Sequence, residues 1–193
     1  VEYTRRLKSR IRDEGYATLG VPGGMTTLMA AMITASSETV SMLLECGTNV
    51  ESVDVMGNDP FTLASVFGRH DNLQFWLERV KGYDFECRNT VLGVTPLIAA
   101  ANMGANKFET VSVLLKRNAR LDVVTHSGFS VLMAACANED SDPQTVKAIL
   151  DDFRGLGENH GLDGDINYRM RSRTTKWKLL RGAAKLLVRT GLL

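Results

Sequence analysis

The sequence is short of the residues that build sheets, membrane spans and metal sites. Phe, Trp and Tyr together make up 7% of its 193 residues. Runs in which valine, isoleucine or tyrosine alternate with polar residues are nearly absent, so a core of half-buried strands is not expected. No apolar run approaches the roughly 18 residues a transmembrane helix needs, and no charged-then-apolar leader is visible, so neither a membrane span nor a signal peptide is expected within this stretch. The first residue is Val1, and the chain is expected to be an excerpt of a longer protein. There are three cysteines, Cys46, Cys87 and Cys136, too far apart for zinc-ligand spacing. An odd, scattered set suits a reducing compartment, where free cysteine packs as a small hydrophobe. A cytoplasmic or nuclear location and a buried Cys136 are the corresponding expectations.

Acidic residues are missing from one region altogether. Residues 166–193 carry Arg169, Arg171, Arg173, Lys176, Lys178, Arg181, Lys185 and Arg189 with no Asp or Glu. The formal net charge of +1 therefore hides an acidic middle between basic ends.

What the sequence does have is repetition. "GMTTLMAAM", "GNDPFTLAS", "GVTPLIAAA" and "GFSVLMAAC" begin at Gly24, Gly57, Gly93 and Gly128, at separations of 33, 36 and 35 residues. An apolar pair follows each glycine at a similar distance: Leu43-Leu44, Trp76-Leu77, Leu114-Leu115 and Ile149-Leu150. An apolar residue followed by an acid or amide comes third: Val50-Glu51, Phe85-Glu86, Leu121-Asp122 and Ile166-Asn167. Thr26, Thr95 and Ser130 can cap a helix start, and Pro60 and Pro96 fit the first turn, where their missing amide has no partner to lose. Gly47 or Asn118 then ends a second helix, since both types tolerate a left-handed backbone. Neither helix can bury its apolar face inside its own unit, so the units must stack.

On these residues the chain resembles the ankyrin-repeat family, whose period is about 33 residues with a T-P-L-H-x-A pattern. The resemblance covers residues 22–153. "GVTPLIAAANMG" matches best, whereas the family's histidine is Met29, Thr62, Ile98 and Met133 here, so its hydrogen bonds between repeats are expected to be missing. The second unit departs further, with Asp59 and Phe61 in place of threonine and leucine. The resemblance implies an all-α solenoid of stacked helix pairs with β-turn or hairpin fingertips. Its divisions would be a basic N-terminal loop or the end of a preceding repeat at 1–21, repeats at about 22–54, 55–89, 90–125 and 126–153, a glycine-rich and basic insertion loop at 154–172, and a basic amphipathic cap helix at 173–193. The helix–helix turns at 102–108 and 137–143 are expected to be two residues longer than in the first two units.

The resemblance also implies where a partner would touch. Family contacts lie at the fingertips, just after the glycine, and at the end of the first helix. Here those positions hold Met25, Val55, Met56, Asn58, Phe67, Val91, Leu92, Val94, Met103, His126 and Phe129. This set is far more apolar than an ordinary surface, and large exposed apolar patches mark interaction sites.

Catalytic and cofactor signatures fail on inspection. "GLGENHG" has His160 where a dinucleotide loop needs glycine, and no strand precedes it. Asp163, Asp165 and Asn167 have calcium-loop spacing, but Tyr168 replaces the turn glycine and Thr174 the bidentate glutamate. His70, His126 and His160 lie in separate units or loops. The expectation is a non-catalytic interaction module, a scaffold or adaptor element without cofactor or metal, whose partner is a protein rather than a small molecule or nucleic acid. The alternative is association with a membrane surface or nucleic acid through the C-terminal segment, where Lys178, Arg181, Lys185 and Arg189 form a stripe beside Trp177, Leu180, Ala184 and Leu187.

Overall fold

A computed structural model describes residues 23–137 and 141–155, the side chains as far as Phe153. The N-terminal loop, the insertion loop and the proposed cap helix expected above lie outside these residues, apart from the first residues of the loop after Phe153. The described residues form eight helices in four successive pairs: α1 Thr27–Thr34 with α2 Ser37–Glu45, α3 Pro60–Val66 with α4 His70–Arg79, α5 Pro96–Met103 with α6 Lys107–Leu115, and α7 Val131–Cys136 with α8 Pro143–Gly155. The fold among them is all-α, and an isolated bridge between Val124 and Ser130 is its only β pairing.

The four first helices begin in one way. Thr26, Asp59, Thr95 and Ser130 each turn a side-chain oxygen onto the amide three residues on, at 3.2, 2.7, 3.4 and 3.3 Å. Pro60 and Pro96 open α3 and α5 directly after their caps. Asp59 thus does in the divergent second unit what threonine or serine does in the others, and Phe61 fills the leucine position with no exposure at all.

The second helices supply the anchors. Leu43, Trp76, Leu114 and Ile149, the leading members of the apolar pairs, are all buried. α2 ends at Gly47 (φ 72°), and the chain after α6 turns at Asn118 (φ 58°). In both, the following amide returns to the leucine carbonyl, Thr48 N to Leu43 O at 3.3 Å and Ala119 N to Leu114 O at 3.2 Å. Asn118 is the one non-glycine residue with positive φ among those described. α8 is capped by Asp142, which accepts from the Gln144 amide at 3.1 Å and the Thr145 amide at 2.9 Å.

First helices pack in a row, α1 on α3, α3 on α5 and α5 on α7, while the second helices form a parallel row behind them. Leu28–Ile33, Pro60–Ser65 and Pro96–Ala101 are buried without interruption, as expected of helices covered on most sides. The alanines allow close approach, and stacking buries what no unit could bury alone.

The positions that lack the family histidine are filled by buried Met29, Thr62 and Ile98. The units are tied instead at their helix–helix turns. Asn72 Nδ2 donates to Met32 O and Ala35 O, both at 3.0 Å, and the Arg69 guanidinium to Ala35 O at 2.6 Å. Asn106 Nδ2 donates to Gly68 O at 3.2 Å.

Two expectations need correction. The third unit does not lengthen its turn by two residues: α5 and α6 are joined by 104–106, as α3 and α4 are by 67–69. Part of the offset lies within the helix, where Leu114 sits one place later in α6 than Trp76 does in α4. Cys136 is exposed, as is Cys46, and Cys87 is half-buried. The alanine-like position of Cys136 is buried in the earlier units by a following first helix, and no such helix follows α7 among the described residues.

Candidate interaction surface

Each fingertip closes on itself and then bonds to its neighbour. Asp54 N donates to Asn58 O, Asn89 N to Val94 O and Thr125 N to Phe129 O, at 2.9, 3.0 and 3.0 Å. A side-chain oxygen holds each turn from inside. Asp54 Oδ1 accepts the amides of Met56 and Asn58, both at 2.8 Å, and Asn89 Oδ1 those of Leu92 and Val94 at 3.0 and 3.2 Å. Thr125 Oγ1 accepts the Phe129 amide at 3.0 Å. Between units, Val55 N donates to Gly23 O at 3.0 Å, Val91 N to Met56 O at 3.4 Å and His126 N to Leu92 O at 2.8 Å.

The glycines inside these turns are there for space as well as conformation. At Gly57 (φ 78°) a β-carbon would stand 2.6 Å from the Thr90 amide nitrogen of the next fingertip, a backbone neighbour that cannot give way. At Gly93 (φ 69°) it would run into the His126 ring.

On this framework the expected contact residues divide into three groups. Val55, Phe67, Val91, Leu92 and Met103 are exposed, with Val55 at 65% and Met103 at 60% the most open. The fingertip members and the two helix-end residues, Phe67 and Met103, come from successive units, so the stack sets them in rows. Met56, Val94, His126 and Phe129 are half-buried, and Val94 and Phe129 pack against the main core. Met25 and Asn58 are buried and are corrections. Met25 joins Met29, Ala30, Ile33 and Leu63 in a second core cluster. Asn58 donates from Nδ2 to Asp54 Oδ2 at 3.0 Å and accepts from Asn89 Nδ2 at 2.9 Å, which makes it a link between fingertips. Val53, exposed beside Val55, belongs to the same surface and was missed because it precedes the fingertip position mapped from the repeat. Exposed Met42 and Phe108 lie on second helices instead. Between the third and fourth units Met103 and Phe108 line one open cleft with Asn106, Lys107, Asp142 and Gln144.

One cluster of ionisable groups lies behind the fingertips. Tyr83 packs on Phe61 and Trp76, at ring-centre distances of 5.0 and 5.6 Å, and its hydroxyl donates to Asp59 Oδ2. The Cys87 thiol donates to the same oxygen at 3.1 Å, while Asp59 Oδ1 holds the α3 cap. Burial pushes the Cys87 thiol up to about 12, with the Asp59 charge adding to it. Burial and then the Asp59 charge push the Tyr83 phenol far above its usual range. Both groups are held protonated and committed to one carboxylate, so the cluster stabilises the second unit and offers no poised nucleophile. Among the described residues no three His, Cys, Asp or Glu side chains gather in a metal-holding group, and no helix is long and apolar enough to cross a membrane.

Helix pairs that repeat a cap, an anchor and a self-closing fingertip, and that bury a core only between neighbours, define a helical repeat solenoid. Residues 67–159 match the ankyrin-repeat family, described as ankyrin repeats (3 copies). The matched span is thus similar to ankyrin repeats, and the first pair, α1 and α2, upstream of it, has the same cap, anchor and C-terminal turn. No curated protein matches the chain. Ankyrin repeats are in general protein–protein interaction modules and typically non-catalytic.

Proposed function

We propose that this chain is a scaffold or adaptor module that binds an apolar segment of a protein partner on its fingertip and first-helix-end side. The observation that carries the reading is the run of exposed apolar side chains, Val55, Val91 and Leu92 at the fingertips with Phe67 and Met103 at the helix ends, on a backbone whose own hydrogen bonds are already satisfied. Such side chains contribute little to the core, and an apolar patch of this kind gains by being covered. Rows set by a rigid stack lose little freedom on binding, which favours affinity. None of these five side chains is charged, so contact through them would depend weakly on salt.

A photo-reactive amino acid placed at Leu92, with a matched control at Met42 on α2, tests this in the intact chain. Illumination in a lysate of the source cells should give a discrete protein adduct from position 92, retained at high salt, and none from position 42. Equal adducts from both positions, or loss of the position-92 adduct at high salt, would contradict the reading.

A further inference from the structure

We infer that a cleft between the first and second units, at their helix–helix turns, receives an arginine side chain of a protein ligand. The cleft is open, encloses about 510 Å³ and is walled by the start of α2 and one face of α4. No fingertip residue lines it, so the inference does not rest on the reading of that side. Asn72 lines the cleft yet is only 1% exposed. Its Nδ2 is spent on Met32 O and Ala35 O, both at 3.0 Å, and these two acceptors fix which amide atom is the nitrogen. Its Oδ1 is buried and has no partner among the described residues. A buried acceptor without a partner is rare and gains from a donor brought to it.

The rest of the lining selects the donor. Glu38, Asp71 and Glu78 stand against one cation, Arg69, whose guanidinium already bonds Ala35 O at 2.6 Å. The lining is therefore two charges negative. A hydrogen bond from the Ser36 side chain holds the Glu38 carboxyl below its usual range, so it stays ionised. Phe75 adds an apolar wall, and its ring already carries the Arg79 guanidinium 5.7 Å from its centre. Anionic acceptors beside an aromatic ring suit a planar cation that has donors only, which describes guanidinium better than ammonium. The comparable cleft between the third and fourth units lacks this combination. Exposed Glu109 takes the place of Asn72 there, Asp142 is committed to the α8 cap, and Lys107 adds a positive charge.

The test is a nuclear magnetic resonance titration of the intact chain with blocked glycine–serine peptides that carry a single arginine, lysine or citrulline. Citrulline keeps the shape of arginine without its charge. The arginine peptide should shift the Asn72 side-chain amide and Phe75 ring signals saturably. The lysine peptide should bind at least about threefold more weakly, and the citrulline peptide at least about tenfold. Glu38→Gln with Asp71→Asn should weaken the arginine peptide at least about fivefold. Both residues are exposed, so the backbone amide spectrum of this variant should show an intact stack. An equal change of charge elsewhere, Glu109→Gln with Asp151→Asn, should leave binding within about twofold. The absence of a saturable shift, a lysine or citrulline peptide that binds as tightly as arginine, or equal binding by the two charge variants would overturn the inference.

Discussion

Asn118 shows what a single backbone angle contributes. At φ 58° it occupies the place that Gly47 holds after α2, with the same return of the next amide to a leucine carbonyl. A β-branched side chain is strained there, so Asn118→Val should lower unfolding stability by about 1–2 kcal/mol, whereas Asn118→Gly should be neutral or better. Urea melts of both variants check this, and an unchanged Asn118→Val would mean the turn does not need its left-handed residue. The cluster around Asp59 makes a second residue-scale prediction. Cys87 and Tyr83 have pKa values raised in the folded state, so folding favours their protonated forms. Their contribution is complete below the ordinary thiol range, about 8.5, and is lost as pH rises from there toward the folded value. The melting temperature should fall between about pH 8.5 and 11, and the double variant Cys87→Ala with Tyr83→Phe should flatten that fall. A wild-type profile as flat as the variant's would show that the cluster does not couple to folding.

At the scale of elements, the helices were legible in the sequence and the fingertips only in outline. A capping oxygen, a proline at the first turn and an anchor one helix later act over short sequence distances, so spacing alone placed α1, α3, α5 and α7. The fingertips were harder because one task is done by three residue types. Asp54, Asn89 and Thr125 each hold a turn from inside, yet no shared letter marks them. Tyr83 reaches a cap more than twenty residues earlier, which no local pattern records. Met25 and Asn58 were misplaced for a related reason: the repeat frame gives a position, but its exposure depends on what neighbouring units put beside it, here Leu63 for one and Asn89 for the other. The Asn89 side chain joins two fingertips and fixes the turn that carries Leu92, so Asn89→Ala takes a partner from the buried Asn58 carboxamide and from the Leu92 and Val94 amides. A loss of about 1–3 kcal/mol is expected in thermal melts. A melt like that of the unaltered chain would mean that water replaces the side chain without loss.

In the proposed reading, stability and recognition fall on different sides of the described stack. The second-helix anchors and the buried first helices hold the units together, so a defect there creates a cavity that the close-packed row cannot collapse. The fingertip and helix-end residues are held in place by backbone bonds and leave their apolar side chains free for contact. A repeat sequence makes the first assignment readable, because burial between units recurs with the period. The second is readable only in part, because the period marks where a surface lies and not which of its residues stay open. The most direct test compares two variants of the intact chain, Val55→Ser with Leu92→Ser and, separately, Leu114→Ala, by melting and by capture of the partner cross-linked at position 92. The surface pair should lose less than about 1 kcal/mol of folding stability while weakening capture by more than about 2 kcal/mol. Leu114→Ala should lose about 2–5 kcal/mol of stability. If the surface pair melts as badly as Leu114→Ala, or captures the partner undiminished, the fingertip side is not the binding surface.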